Sequence, residues 1–439
     1  MTWLTSILEP AKQHGTIAAL DGVRAIACLV VVSVHISMIT TQDISLWSPQ
    51  AFPPLFTALA FMGDTGVTLF FVLSGFLLFL PYARALLFDE RHWPAMRRFY
   101  LRRALRILPA YYVSLCLLVL LYRPEYLSLD HLRQWFFFLT LFMDSSSTTF
   151  KQISGPFWTL AVEWQFYLLL PWLALGMNWL VRRFRISSVQ HVHIVLFCLG
   201  SLMLWGISTR ILGNYLSANP SATFLLPRTM INAVLPFIYG AQTPGLHGKF
   251  LEDFAIGMLI ATLYTLAHHS TSSASFSHML PRLSPWLFAS GLAWLLFMAM
   301  WKHNWQHPHT WLLLDPLNDV YASLGEFGFA LGYGLFMSGV LSSASRLRRI
   351  FEWQPLRWIG LISYGIYMWH LLLLESFTDH AVIHFLHLPP ILLYILYWIW
   401  LLVFIVPCAF LLFWLVEKPW QDLGKNLGRR KAVDQTTTG

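Results

Sequence analysis

The chain has 439 residues, of which 57% are hydrophobic, 16% aromatic and 11% charged. That charged share is less than half the roughly 25% of a soluble domain, which excludes a water-soluble globular protein and reads as one integral membrane domain over 1–439. The formal charge of +8, from 29 Lys and Arg against 21 Asp and Glu, reports topology in such a chain rather than a nucleic-acid surface.

The first apolar run, LDGVRAIACLVVVSVHI from Leu20 to Ile36, carries Asp21, Arg24 and His35 and lacks a small-residue cleavage site. It reads as a retained helix rather than a cleavable signal peptide. Arg24 and His35 differ by about 20° around a helix and by roughly 16 Å along it, so they share a face but not a depth. Ionisable groups inside hydrocarbon are costly unless they face a polar interior, which marks both as functional candidates.

Further runs of spanning length, about 18 to 25 residues, follow in order. With the first they lie near 19–39, 58–80, 104–122, 156–178, 191–213, 250–268, 284–301, 319–341, 357–376 and 391–416. Between the third and fourth, HLRQWFFFLTLFM (131–143) is too short to cross and reads as a re-entrant or interfacial segment. The expected fold is an all-α polytopic bundle of about ten transmembrane helices. With 131–143 left uncrossed, 21 of the 29 Lys and Arg fall on the side of the N-terminus and seven on the other, with Arg24 inside the first span. Both termini are then cytoplasmic by the positive-inside rule.

The loop at 214–249 is rich in Pro, Gly, Asn and Ser, so it is expected to form an extracytoplasmic cap that shapes an acceptor site. His303, His307 and His309, and likewise His380, His384 and His387, show the i, i+4 spacing of metal ligands. Histidines at a wet, aromatic interface account for them equally well, and no metal is assigned. Cys28, Cys116, Cys198 and Cys408 show no CxxC spacing and read as packing residues.

On this topology His35, Asp64, Glu163 and His370 lie at similar depths in the outer leaflet. A histidine beside a carboxylate is the usual general base, because the carboxylate fixes the tautomer and stabilises the imidazolium. A proton relay in a transporter would use the same residues. At the opposite face Arg97, Arg98, Arg102, Arg103 and Arg106 crowd the start of the third span, and Arg103 and Arg106 project from one side of it. With Arg24 they suit a polyphosphate, through forked charge-assisted hydrogen bonds. Topological anchoring explains Arg97 and Arg98. Ser74, beside Gly75, reads as a helix-packing serine, and Trp158, Trp164, Phe166 and Tyr167 as belt aromatics.

Six segments carry a resemblance that covers nearly the whole chain in order. They are Arg24 to His35 (R-x10-H), GVTLFFVLSGFLL (66–78), RRALRILPAYY (102–112), FWTLAVEWQFYLLLPWL (157–173), LEDFAIGMLIA (251–261) and SYGIYMWH (363–370). Together they resemble the acyltransferase 3 family. The resemblance implies a bacterial plasma-membrane O-acyltransferase that takes an acyl group, most often acetyl, from cytoplasmic acyl-CoA. The acceptor it implies is a hydroxyl of an extracytoplasmic or lipid-linked saccharide. It implies His35 as the catalytic histidine with Arg24 its motif partner, and Arg103 with Arg106 as the pair near the CoA phosphates. Glu163 falls on the family's glutamate, and Tyr364 and His370 on its S-Y-x-x-Y-x-x-H segment. Many members have an acid where Thr68 stands, for which Asp64 is the candidate substitute, and a second acid where this chain has Trp164.

The expected catalytic group is therefore His35, Glu163, Asp64, Tyr364 and His370, with Arg24, Arg103 and Arg106 for the donor. Acyl-CoA is expected as co-substrate, with no permanently bound cofactor. A saccharide or glycolipid acceptor and membrane lipids are the other partners. No SGNH-hydrolase-like domain is expected after the last span. The rival reading is a proton-coupled transporter or lipid-linked-saccharide flippase, but the paired broken helices that mark many of these are not evident.

Overall fold

The computed structural model describes residues 17–44, 52–88, 93–183, 188–219, 249–268, 274–342, 346–385 and 388–424, with isolated positions at 221, 227, 230, 234, 237 and 426. Among these residues there are helices and connecting turns but no strand. Hydrocarbon imposes this choice, because a helix satisfies its backbone polar groups within itself.

In chain order the helices are α1 (Ala19–Ile44), α2 (Pro54–Phe61), α3 (Gly66–Phe88), α4 (Met96–Tyr122), α5 (Leu132–Thr140), α6 (Phe157–Arg183) and α7 (Ser188–Ala218). Then come α8 (Leu251–His268), α9 (Ala274–Gln306), α10 (Asn318–Ser342), α11 (Arg346–Phe351) and α12 (Gln354–His380). The last, α13 (Pro390–Gly424), is interrupted by π turns at Leu401–Ile405 and Phe413–Glu417.

Nine stretches of described residues are long and apolar enough to cross a membrane. The remaining expected span is α8, whose 18 residues carry Glu252 and Asp253 in their first turn. At nine residues, α5 reaches only about 13 Å, too short to cross. Most of the expected cap at 214–249 lies outside the described residues.

The chain divides into two compact units, one of residues 1–73 and 266–409 and the other of 74–265 and 410–439. In the first, α1 packs along α12, and Cys28 Sγ lies 3.6 Å from the Ser363 carbonyl oxygen. Gly360 makes this approach possible: a Cβ there would collide with the Asp21 backbone carbonyl, as expected of small residues at intramembrane helix contacts. Gly63, in the 3-10 turn Met62–Thr65 that joins α2 to α3, abuts Val30 and Val34 of α1. Asp64 and Thr65 are thereby set against the stretch of α1 that carries His35.

In the second unit, Phe166 of α6 stacks on Phe254 of α8 with centroids 3.8 Å apart and planes 11° apart. Of the two acids in the first turn of α8, Glu252 is neutralised within the bundle. Arg210 of α7 contacts Glu252 at 2.5 Å, with 3% and 1% of the two side chains exposed. A charge that deep is tolerated only when paired.

Candidate active site

In the first unit the polar residues gather around α1 and α12. His35 is half-buried, and its Nδ1 lies 2.9 Å from the Val31 carbonyl oxygen and 3.1 Å from Nε2 of His370. His370 is fully buried, with Nδ1 3.1 Å from the Ile366 oxygen and 2.9 Å from the Tyr367 oxygen. Carbonyl oxygens only accept, so the hydrogen of a neutral His370 is on Nδ1 and its Nε2 carries the lone pair. His35 must then donate from Nδ1, to His370 Nε2 and the Val31 oxygen. The lone pair of a neutral His35 therefore falls on Nε2, on the far side of the ring.

The carboxylates of this unit have other partners. Asp64 is held through both oxygens by Lys302 of α9, a side chain only 11% exposed against 58% for Asp64. Thr65 Oγ1 and Tyr333 OH of α10 are 2.8 Å apart, and Thr68 Oγ1 donates to Glu326 Oε2 of α10 at 3.3 Å. Near the start of α1, Asp21 lies 3.7 Å from Arg24 and 3.7 Å from Arg357. Tyr364 is half-buried on α12, six residues before His370 and so about 120° away around the helix.

The second unit builds its polar group around Glu163 of α6. Its Oε1 accepts from Ser74 Oγ at 2.5 Å and from Tyr167 OH at 2.5 Å. With two donors on Oε1, a further hydrogen bond falls to Oε2. The Arg103 guanidinium lies 5.9 Å from the centroid of the Tyr167 ring, in cation–π range. Its Nε is buried without a hydrogen-bond partner. Arg106 stands one turn along α4, within electrostatic reach of the buried Glu417 of α13.

A second polar group joins the loop before α6 to the residues before α8. Lys249 bonds Asp144, and its Nζ lies 3.1 Å from Ser145 Oγ. Gln165 Nε2 donates to Asp144 Oδ1 at 2.8 Å and to the Leu141 oxygen at 3.2 Å. Burial holds the Lys249 ammonium below its usual range, opposed by the neighbouring Asp144 carboxylate.

The histidine-rich loops pair locally. The His303 and His307 rings are 4.7 Å apart, and His309 Nδ1 contacts Asp315 Oδ2 at 2.8 Å. His380 Nδ1 lies 2.9 Å from the Ser376 oxygen, and His387 lies outside the described residues. No group of three or more His, Cys, Asp or Glu among the described residues is placed to hold a metal ion.

Residues 17–414 match a family model described as an acyltransferase domain. The chain belongs to the acyltransferase 3 family. This acyltransferase 3 chain is 26% identical over 381 residues to a Bacillus subtilis strain 168 protein provisionally named peptidoglycan O-acetyltransferase YrhL. The match covers 82% of this chain and 49% of the relative. It is 25% identical over 373 residues to the peptidoglycan O-acetyltransferase OatA of Listeria monocytogenes, covering 81% and 49%. The chain spans about half the length of the curated relatives it matches. No solved structure matches it.

Of the residues singled out in this acyltransferase 3 chain, His35 and His370 meet directly, whereas Asp64 meets Lys302 and Glu163 meets two hydroxyls. Sequence reading missed Lys302, Glu326 and Tyr333 in the first unit, and Tyr167 and the Asp144–Lys249 pair in the second. Glu326 was detectable as an acid inside the run 319–341, by the same rule that marked Glu163. Lys302 and Lys249 stand just outside the expected spans 284–301 and 250–268, and nothing local in sequence links either lysine to its aspartate.

Proposed function

We propose that this protein is a membrane O-acyltransferase that moves an acyl group, most often acetyl, from acyl-CoA to a hydroxyl of a cell-envelope saccharide. The observation that carries the reading is the His35–His370 pair. Its hydrogen-bond pattern assigns the lone pair to His35 Nε2, as a general base requires. The relatives named as peptidoglycan O-acetyltransferases favour a glycan acceptor.

In this mechanism His35 Nε2 takes the proton of the saccharide hydroxyl as its oxygen attacks the thioester carbonyl. The tetrahedral oxyanion collapses, the carbon–sulfur bond breaks, and the CoA thiolate leaves with the proton returned by the His35 imidazolium. The ester and free CoA are the products. His370 holds the imidazole in its working tautomer. Glu163 orients a substrate group through Oε2, Asp64 holds the Lys302 ammonium, and Tyr364 completes the polar wall of α12. In the second unit Arg103 and Arg106 take the donor's phosphates, the unpartnered Arg103 Nε being a ready donor. The donor is reached from the cytoplasm, where both termini lie, in the plasma membrane of a bacterium. The fold works as one acyltransferase domain, with no resident metal or cofactor.

The test is release of free CoA from acetyl-CoA by the purified protein in proteoliposomes, with mixed envelope saccharide as acceptor. Wild-type release should depend on saccharide and fall 10²-fold or more in His35→Ala, the scale of a lost general base. A protein that neither binds CoA nor releases it would instead be examined as a proton-coupled transporter.

A further inference from the structure

We infer that the second unit holds a binding site for a single hydrocarbon chain of a membrane glycolipid, between α6 and α7. This deepens the proposed function by assigning the site to the lipid anchor of the saccharide acceptor.

A cavity of about 250 Å³ lies there, with Leu251 at the start of α8 also in its lining. One wall is Val162, Gln165, Phe166 and Leu169 of α6, spaced i, i+3, i+4, i+7. Val162 and Phe166 of this stripe are buried, Phe166 against Phe254, and Leu169 is 37% exposed. The other wall includes Trp205 and Thr209 of α7. The lined stretch of α6 is about 10 Å long, so the cavity is a short slot along the helix. The volume also falls below the roughly 300 Å³ at which pockets hold whole small molecules, so the occupant is part of something larger.

Two observations define the occupant. First, the void has a single polar corner, where Gln165 and Lys249 meet over Asp144. Gln165 has committed both amide hydrogens, to Asp144 and Leu141, so its Oε1 remains to accept. Lys249 has three donors, of which Asp144 and Ser145 take two. An acceptor and a donor beside an apolar slot suit a hydroxyl-bearing head on a hydrocarbon tail. Because Asp144 already balances the ammonium, an uncharged polyol fits better than a lone anion. Second, the slot opens toward lipid. Trp205 is 55% exposed, and Leu204 and Phe197 on the same helix are 65% and 74% exposed, on a helix apolar enough to span. A chain can therefore enter sideways from the bilayer.

The test uses the full-length protein in nanodiscs with a single-chain alkyl glucoside bearing a diazirine in its chain, followed by peptide mass spectrometry. Label should fall on 162–169 and 205–209, be competed by unlabelled alkyl glucoside but not by phospholipid, and drop about tenfold in Leu169→Trp. Thr209→Phe fills the same slot from the other wall and should act alike. Both variants should raise the KM for a lipid-linked acceptor about tenfold while leaving turnover of a chain-free saccharide unchanged. Label spread evenly over the helices, or competed equally by phospholipid, would mean ordinary boundary lipid and overturn the site. Labelling needs no turnover, so chain capture without CoA release would sink the enzyme reading alone. CoA release without chain capture would sink only the site.

Discussion

The two units each bury a polar centre, and the two centres are built oppositely. Around His370 acceptors set one end and a donor the other: two carbonyl oxygens hold Nδ1–H, and its Nε2 accepts in turn from His35. Around Glu163 the surroundings are donors: two hydroxyls converge on Oε1, with the Arg103 guanidinium beside them. The two carbonyl acceptors on one imidazole fix where its proton sits and so leave the lone pair of the next imidazole on Nε2. A ring of donors around a carboxylate fixes a negative charge and the direction it faces. The first arrangement suits chemistry that moves a proton, and the second suits positioning. Neither resembles Arg210–Glu252, where two full charges saturate each other out of reach of solvent.

That third pair sets the upper end of what substitution should do. Arg210→Met alone leaves Glu252 buried and uncompensated, which should cost about 3–5 kcal/mol. The double variant Arg210→Met/Glu252→Leu should recover most of this, as read by thermal unfolding in detergent. If the single variant unfolds no earlier than wild type, the pair is not what holds α7 to α8.

At the histidine centre the loss should appear in turnover and not in melting. Beyond the His35 test, His370→Ala should cost about 10² in turnover, because imidazole loses the partner that fixes its tautomer. His370→Gln should recover at least tenfold of that, since its Oε1 can accept from His35 Nδ1–H where Nε2 did. Equal activities for the Ala and Gln variants would break the contrast between the centres, making His370 a packing residue.

How far this arrangement could be read beforehand differs between the same two places. Depth counting put His35 and His370 at one level. Their meeting across 335 positions depends on how closely α1 and α12 pack, which rests on glycines such as Gly360 that hydropathy does not register. The spans themselves were legible because hydrocarbon demands long apolar helices. That includes α8, read as a span near 250–268 despite Glu252 and Asp253 in its first turn, although nothing in its sequence points to Arg210 as the partner of Glu252. Glu163 stood out as an intramembrane acid, but Ser74 and Tyr167 were absorbed into packing and belt. A hydroxyl is a neutral residue until its partner is known. Thr68 carried no sign of Glu326, which reaches it from 258 residues away.

At the Glu163 centre the effects should be smaller and coupled to one another. Ser74→Ala and Tyr167→Phe each remove one donor from Oε1, and a hydrogen bond to a charged group contributes about 1.5–3 kcal/mol. Because the second hydroxyl remains, each single variant should lose only about tenfold in turnover, and the double variant more than the product of the two. A double variant no worse than either single would mean that Oε1 needs only one donor and that Glu163 is oriented by its helix.

The smallest effect is expected at Asp64. Its carboxylate is 58% exposed while Lys302 is 11% exposed, so solvent already screens the aspartate and the pair should contribute about 0–1 kcal/mol to stability. Asp64→Asn should therefore leave the melting temperature nearly unchanged. It should still alter catalysis if the Lys302 ammonium has a task, because an amide holds that cation less firmly than two carboxylate oxygens do. Asp64→Asn with normal turnover would make the pair a surface contact, and the first unit's chemistry would then rest on the two histidines. Slowed turnover with an intact fold would place Lys302 among the groups that meet the substrate, as the cation a developing oxyanion needs.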